Sequence, residues 1–209
     1  MTRARAHPFD VVRDFETELC EYTHAPYAVA VNSCTSALML AVAFCIKDLA
    51  GAAYKPLISI PRPGYITVPQ AIIHAGGRPG WRDEEWSGAY QLAPLPVWDS
   101  ARRFTGGMFR PGQMQCVSFH ASKILALEMG GAILHDDPEA DRWLRRARFD
   151  GRTERVHPRD DVFDMIGYHV YMPPSVAAHG LLRLYSLPLV NADLPNDDEP
   201  DLSRLEIFQ

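Results

Sequence analysis

Ala28-Val29-Ala30-Val31-Asn32-Ser33-Cys34-Thr35-Ser36-Ala37-Leu38-Met39-Leu40-Ala41-Val42-Ala43-Phe44 is the stretch on which the fold turns. Residues 28–31 are small and apolar and suit a short buried strand. Asn32 to Ser36 are small and polar and make a turn. The apolar run from Ala37 to Phe44 is too long and too rich in alanine for a strand, so it reads as a buried helix. Strand, polar turn and helix follow one another within seventeen residues.

Working outward, the same alternation recurs. Upstream, Val12, Phe15, Leu19 and Tyr22 repeat at spacings of three and four behind Asp10, a candidate helix cap. Downstream, Leu57–Ile60 reads as a strand, Pro61–Gly64 as a turn, and Thr67–His74 as a helix ended by Gly76-Gly77. Further strands are expected at Arg78–Trp81, Pro96–Trp98, Gln115–Phe119 and Gly131–Leu134, with helices at Glu139–Arg148 and Pro173–Tyr185. Helices alternating with short apolar strands imply an α/β domain with a mainly parallel sheet covered on both faces. That domain is expected over residues 1–190, and the Asp- and Pro-rich remainder, 191–209, reads as an acidic exposed tail.

Composition narrows the function. The chain has 209 residues, 47% of them hydrophobic and 10% aromatic, enough for one substantial core. A net charge of −5 provides no global field for nucleic acid or an anionic membrane. The run Arg142, Arg145, Arg146, Arg148 is the one local basic candidate, and it reads as a solvated helix face. No stretch reaches the ~18 apolar residues of a membrane span. The basic start, Met1 to His7, lacks the apolar run of a secretory signal, so a cytoplasmic protein is expected. Cys20, Cys34, Cys45 and Cys116 are scattered without a Cys-x-x-Cys pair; they read as reduced residues, and no metal site is expected.

In parallel α/β sheets ligands sit beyond the carboxyl ends of strands, which gives three groups priority. Ser33 to Ser36, at a helix start, offers amides and hydroxyls to a phosphate, although such residues also cap helices without further purpose. Asp99 follows the apolar Pro96-Val97-Trp98, where a carboxylate needs a cationic or hydrogen-bonding partner such as a protonated ring nitrogen, or serves as a plain cap. Lys123 closes Ser118-Phe119-His120-Ala121-Ser122-Lys123; an interior lysine is nucleophilic and forms imines with carbonyls.

In this order, these motifs resemble those of the DegT/DnrJ/EryC1/StrS family, pyridoxal 5′-phosphate (PLP)-dependent aminotransferases that mostly aminate keto groups of nucleotide sugars. Ser118 to Lys123 resembles the family's Ser-Phe-x-x-x-Lys signature, with Gly130-Gly131-Ala132 following it. Asn32 to Leu38 is similar to its Ser-Gly-Thr-x-Ala-Leu turn, and Asp99-Ser100-Ala101-Arg102 to its Asp-Ala-Ala-Gln or Asp-Ala-Ala-His. Pro61 to Thr67 resembles the segment whose aromatic ring stacks on the pyridine, here Tyr65, and Gly167 to Met172 the Gly-Tyr-Asn-Tyr-Arg-Met element that reaches a neighbouring subunit.

The resemblance implies the large domain of aspartate aminotransferase fold type I, with Lys123 as the Schiff-base lysine and Asp99 on the pyridine nitrogen. It implies a cofactor set of Ser33, Cys34, Thr35, Ser36, Tyr65, Asp99, Arg102, Ser118, His120, Lys123 and His169, and a homodimer with shared sites. An amino donor and a bulky keto acceptor are the expected substrates. Decarboxylation or elimination on the same lysine is the alternative, and a non-catalytic binding module a second. Departures are specific: His169 and Tyr171 stand for the family's Asn and Arg, and Arg102 for its Gln or His. The family's smaller carboxyl-terminal domain has no counterpart here, which implies an open site or walls supplied by another subunit.

Overall fold

A computed structural model describes residues 7–49, 54–195 and 199–208; the basic start before His7 and part of the expected tail lie outside them. The elements run α1 (Asp10–Thr23), β1 (Tyr27–Val31), α2 (Cys34–Ile46), β2 (Leu57–Pro61), α3 (Thr67–His74), β3 (Arg78–Arg82), β4 (Tyr90–Gln91), β5 (Val97–Asp99), β6 (Met114–Ser118), β7 (Gly131–His135), α4 (Pro138–Ala147) and α5 (Pro174–Tyr185). Asp10 is the first residue of α1 rather than its cap, and its carboxylate accepts the His7 N–H at 2.8 Å.

Five strands form a sheet in the order β1-β7-β6-β5-β4, and β2 and β3 form a parallel pair. An antiparallel bridge between Ser59 and Ala93 links the two. The sheet is mixed, not mainly parallel in its pairings: β7 is antiparallel to β1 and β6, β4 is antiparallel to β5, and only β5 and β6 pair in parallel within it. The physical reason lies in the connections. No helix crosses over between β6 and β7, so the chain returns beside β6 in the opposite sense. Because β7 opposes both neighbours, β1, β5 and β6 nevertheless run the same way.

Alternation along β7 shows how the sheet divides two cores. Ile133 joins Val29, Val31 and Cys116 beneath α2, while Ala132 and Leu134 face Phe15 and Leu19 of α1 and Ala177 and Leu184 of α5. Helix α2 is buried almost all round, which explains its uniformly apolar sequence; truncating Leu40, fully buried, costs about 2–5 kcal/mol. Its amino end presses on the sheet at Gly131, where a Cβ would stand 2.6 Å from the Cys34 nitrogen and 2.8 Å from the Val117 carbonyl oxygen. Only glycine permits that approach.

Two further expectations need revising. The arginines of α4 are not a solvated face as a group: Arg142 is exposed, but Arg148 is 2% exposed, and Arg145 and Arg148 both pair with Glu16. Strand β1 is a sheet edge, and these side chains serve its free backbone: Glu16 accepts the Ala30 N–H at 2.8 Å, Arg148 donates to the Ala30 carbonyl at 2.6 Å and Arg145 to that of Ala28 at 3.1 Å. Within the expected exposed tail, 191–209, several described residues are held against the domain. Asp193 pairs with Arg103, Leu202 is fully buried, and the Leu202 N–H donates to the Arg62 carbonyl at 2.9 Å. Charged residues hold it to the domain, which composition alone reads as solvation.

Candidate active site

Strands β1, β5 and β6 end at Val31, Asp99 and Ser118, and their shared direction opens these ends on one side of the sheet. A cavity of about 670 Å³ lies there. Of the expected site residues, Ser33, Cys34, Thr35, Tyr65, Asp99, Arg102, Ser118, His120 and Lys123 line it, and Ser36 and His169 do not.

One end of the cavity is the start of α2. Ser33 caps the helix, its Oγ accepting the Ser36 N–H at 3.1 Å, and the Thr35 hydroxyl donates to Thr67 Oγ1 at 2.9 Å. Ser36 turns away and donates to Asn32 Oδ1 at 2.7 Å. The Cys34 thiol points back at the Cys116 carbonyl, 3.6 Å away, and burial pushes its pKa well above the usual thiol value. Amide donors and the helix dipole make this end attractive to an anion.

The centre is Asp99, 6% exposed. Its carboxylate accepts the Tyr90 hydroxyl at 2.9 Å and the Ala101 N–H at 2.9 Å, both neutral donors. Burial raises its pKa above the ordinary carboxylate value, and these hydrogen bonds with the charges of Lys123 and Arg102 offset only part of that. A buried carboxylate so placed favours a cationic N–H in the cavity.

Lys123 stands across from it, on a turn whose N–H donates to the His120 carbonyl at 2.8 Å. Among the described residues no carboxylate ion-pairs with this lysine. Ser118 Oγ accepts the His120 N–H at 3.4 Å, and His120 Nδ1 lies 3.0 Å from Ser122 Oγ. Tyr65 is 62% exposed on the wall of the cavity. Arg102 is held by Glu199 and by the Pro195 carbonyl. His169 is exposed outside the cavity, 3.0 Å from Asp150, and the Tyr171 ring rests on Phe9 and Phe149 with centroids 5.1 and 5.3 Å away.

Sequence reasoning missed Tyr90, Trp86 and Glu199, which also line the cavity. Tyr90 reaches Asp99 because the two residues face each other across β4 and β5. A two-residue strand gives no periodic signal, and Glu199 arrives from 97 residues beyond Arg102, so neither was marked locally.

A helix amino end for a phosphate, a buried carboxylate for a ring N–H, an aromatic wall and a lysine amine suit the site of a pyridine-ring phosphate cofactor. The chain belongs to the DegT/DnrJ/EryC1/StrS aminotransferase family, whose model matches residues 6–87 and 104–193. Its fold is the fold-type-I large domain found in solved members. Helicobacter pylori PseC, an aminotransferase involved in the biosynthesis of pseudoaminic acid, superposes with a TM-score of 0.70 at 17% identity, over 88% of this chain and 58% of PseC. AtS13 from Actinomadura melliaura gives 0.68 at 21% identity, covering 85% and 60%. A DegT DnrJ EryC1 StrS aminotransferase from Brucella abortus gives 0.67 at 18% identity, covering 85% and 58%. The chain thus spans less than two thirds of the length of these structures. None of the curated proteins matches it. Among the described residues no helix is long and apolar enough to cross a membrane, and no group of three or more metal-ligating side chains assembles.

Proposed function

We propose that this chain binds pyridoxal phosphate and transfers an amino group from an amino-acid donor to a bulky keto acceptor of the nucleotide-sugar kind. The observation that carries the reading is Asp99, a buried carboxylate whose hydrogen-bond donors are both neutral and which lines a cavity across from Lys123. When bound, the cofactor supplies an aldehyde that condenses with amines and a protonated ring that withdraws electrons.

The chain's own groups do the rest. The start of α2, with Ser33 and Thr35, and the hydroxyl of Ser118 hold the phosphate; Cys34 and Ser36 fix the shape of that turn. Tyr65 would cover one ring face, and Asp99 would keep a proton on the ring nitrogen. Arg102, on the same cavity wall, would favour the ionised form of the cofactor's phenolic oxygen through its permanent charge. Lys123 would hold the cofactor through its amine and carry a proton at Nζ, with His120 lining the same cavity. The open cavity suits a large acceptor, in keeping with the part PseC takes in the biosynthesis of pseudoaminic acid. In a two-fold homodimer the exposed His169 of one protomer would approach the other's phosphate.

The test is the visible spectrum of the protein mixed with pyridoxal phosphate, for wild type and Lys123→Ala, before and after glutamate. A band that requires Lys123 and bleaches with glutamate supports transamination. A Lys123-dependent band indifferent to amino donors replaces this reading with decarboxylation or elimination, and no band at all removes the cofactor assignment.

A further inference from the structure

Arg102 sits three residues past Asp99 on the cavity wall, with its side chain 19% exposed. One terminal nitrogen donates to Glu199 Oε1 and the other to the Pro195 carbonyl. Glu199, 13% exposed, lines the same cavity, so a carboxylate of the chain itself occupies an arginine inside a site built for a ligand. The flanks that deliver Glu199 are fixed on both sides. Before it, Arg103 grips both carboxylate oxygens of Asp193 at 2.9 and 2.6 Å, and the Leu194 N–H donates to the Arg102 carbonyl at 2.8 Å. After it, the Gly64 N–H donates to the Pro200 carbonyl at 3.3 Å, beside the buried Leu202.

Arg102 stands where the resemblance places a Gln or His, and Glu199 lies beyond the residues that the family model matches, 6–87 and 104–193. The chemistry of their contact is readily exchangeable. A guanidinium presents a planar fork, and any ligand carboxylate reaching the wall can take over the hydrogen bond now made by Glu199. The displaced Glu199 is at the cavity surface, where water or a ligand ammonium group can receive it. A structural pair with no such role would be expected away from the space that a ligand fills, as the Glu16 cluster is.

We infer that Arg102 is a carboxylate-binding subsite for the substrate, and that Glu199 is a resident carboxylate which the substrate's own carboxylate displaces. The inference rests on the reading of this cavity as a substrate site and adds which residue recognises a carboxylate there. The exchange lowers affinity for carboxylates in the resting protein, since each ligand must replace a pair already made.

The experiment is calorimetric titration of the cofactor-free full chain with glutarate at fixed ionic strength, for wild type, Glu199→Gln and Arg102→Gln. Glu199→Gln is expected to bind glutarate roughly tenfold more tightly, the scale of one charge-assisted hydrogen bond no longer competed for. Arg102→Gln is expected to abolish binding, alone and combined with Glu199→Gln. If Arg102→Gln does not fold, Arg102→Lys, which keeps the charge but loses the fork, must weaken binding at least severalfold. Unchanged affinity in Glu199→Gln, binding that survives loss of Arg102, or an equal gain for methyl phosphate would each overturn the assignment. Because no cofactor is present, failure here is distinct from failure of the spectral test.

Discussion

Glu16 and Asp99 are both buried carboxylates, 3% and 6% exposed, in different company. Burial pushes the Glu16 carboxyl upward, but Arg148 and Arg145 more than offset it, and its pKa lies below the ordinary value. Arg148 is in turn shared with Glu154 at 2.7 Å, and Glu154 with Arg13 at 2.6 Å, so charge and countercharge close on themselves. Asp99 accepts hydrogen bonds from neutral donors only, and its pKa lies above the ordinary value because burial dominates. The first site ties α1 and α4 to the edge of β1. The second leaves a buried carboxylate facing the cavity with neutral donors only, and that imbalance is what the proposed binding role of Asp99 rests on.

Substitution breaks the comparison most sharply at Glu16. Glu16→Gln leaves Arg145 and Arg148 with a buried excess of positive charge and is expected to cost about 3–5 kcal/mol in a urea melt. A loss below about 1 kcal/mol would show that the cluster is solvated in solution and that β1 is held otherwise. Asp99→Asn is expected to act in the opposite direction on stability. Since the folded-state pKa of Asp99 is raised, its favourable linkage to folding is present at acid pH and lost as pH rises; the ionised form weakens the fold at neutral pH. The amide keeps the shape and removes that penalty, so the melt at pH 7 should gain on the order of 1 kcal/mol. If the chain carries the proposed amino transfer, that activity should fall on the order of a hundredfold in the same variant, the scale of removing one preorganised electrostatic group. A variant that is both less stable and fully active would place Asp99 with Glu16 as a structural residue.

The parts of this molecule that were legible from sequence are those whose signal is local. Uniform apolarity marked α2, three-and-four spacing marked α1, and the polar turn at Ser33 and the Ser118-to-Lys123 run marked two sides of the cavity. What escaped depended on partners far along the chain. Arg145 and Arg148 read as solvated because Glu16 lies more than a hundred positions away. The segment beyond Asn191 read as a tail because its Asp and Pro content resembles solvated chain, whereas Arg102 and Arg103 turn the same acids into anchors. The sense of β7 escaped for another reason: apolar content marks a strand, but direction follows from the connection before it.

His135 sharpens the comparison with a third kind of buried group and the smallest expected effect. Its ring is fully buried and stacked on Tyr27 at 5.4 Å, and no side chain among the described residues makes a hydrogen bond of good geometry to either ring nitrogen. Asp141 Oδ1 is 3.9 Å from Nε2, but the other oxygen of that carboxylate is bonded to Arg145 at 2.8 Å. Burial lowers the His135 pKa below the ordinary imidazole value, with Asp141 opposing and Arg145 reinforcing the shift. The unfolded chain therefore takes up this proton first as pH falls. Stability from neutral His135 is fully present above about pH 6.5 and is lost as pH falls from there toward the lower folded-state pKa. Between pH 7.5 and 5.5 wild type should lose about 1 kcal/mol more than His135→Phe, which has no proton to bind. Urea melts of both proteins at the two pH values measure that difference. Parallel losses would mean that Asp141 receives the proton's charge in the folded protein, and that His135 belongs with Glu16 among the compensated groups.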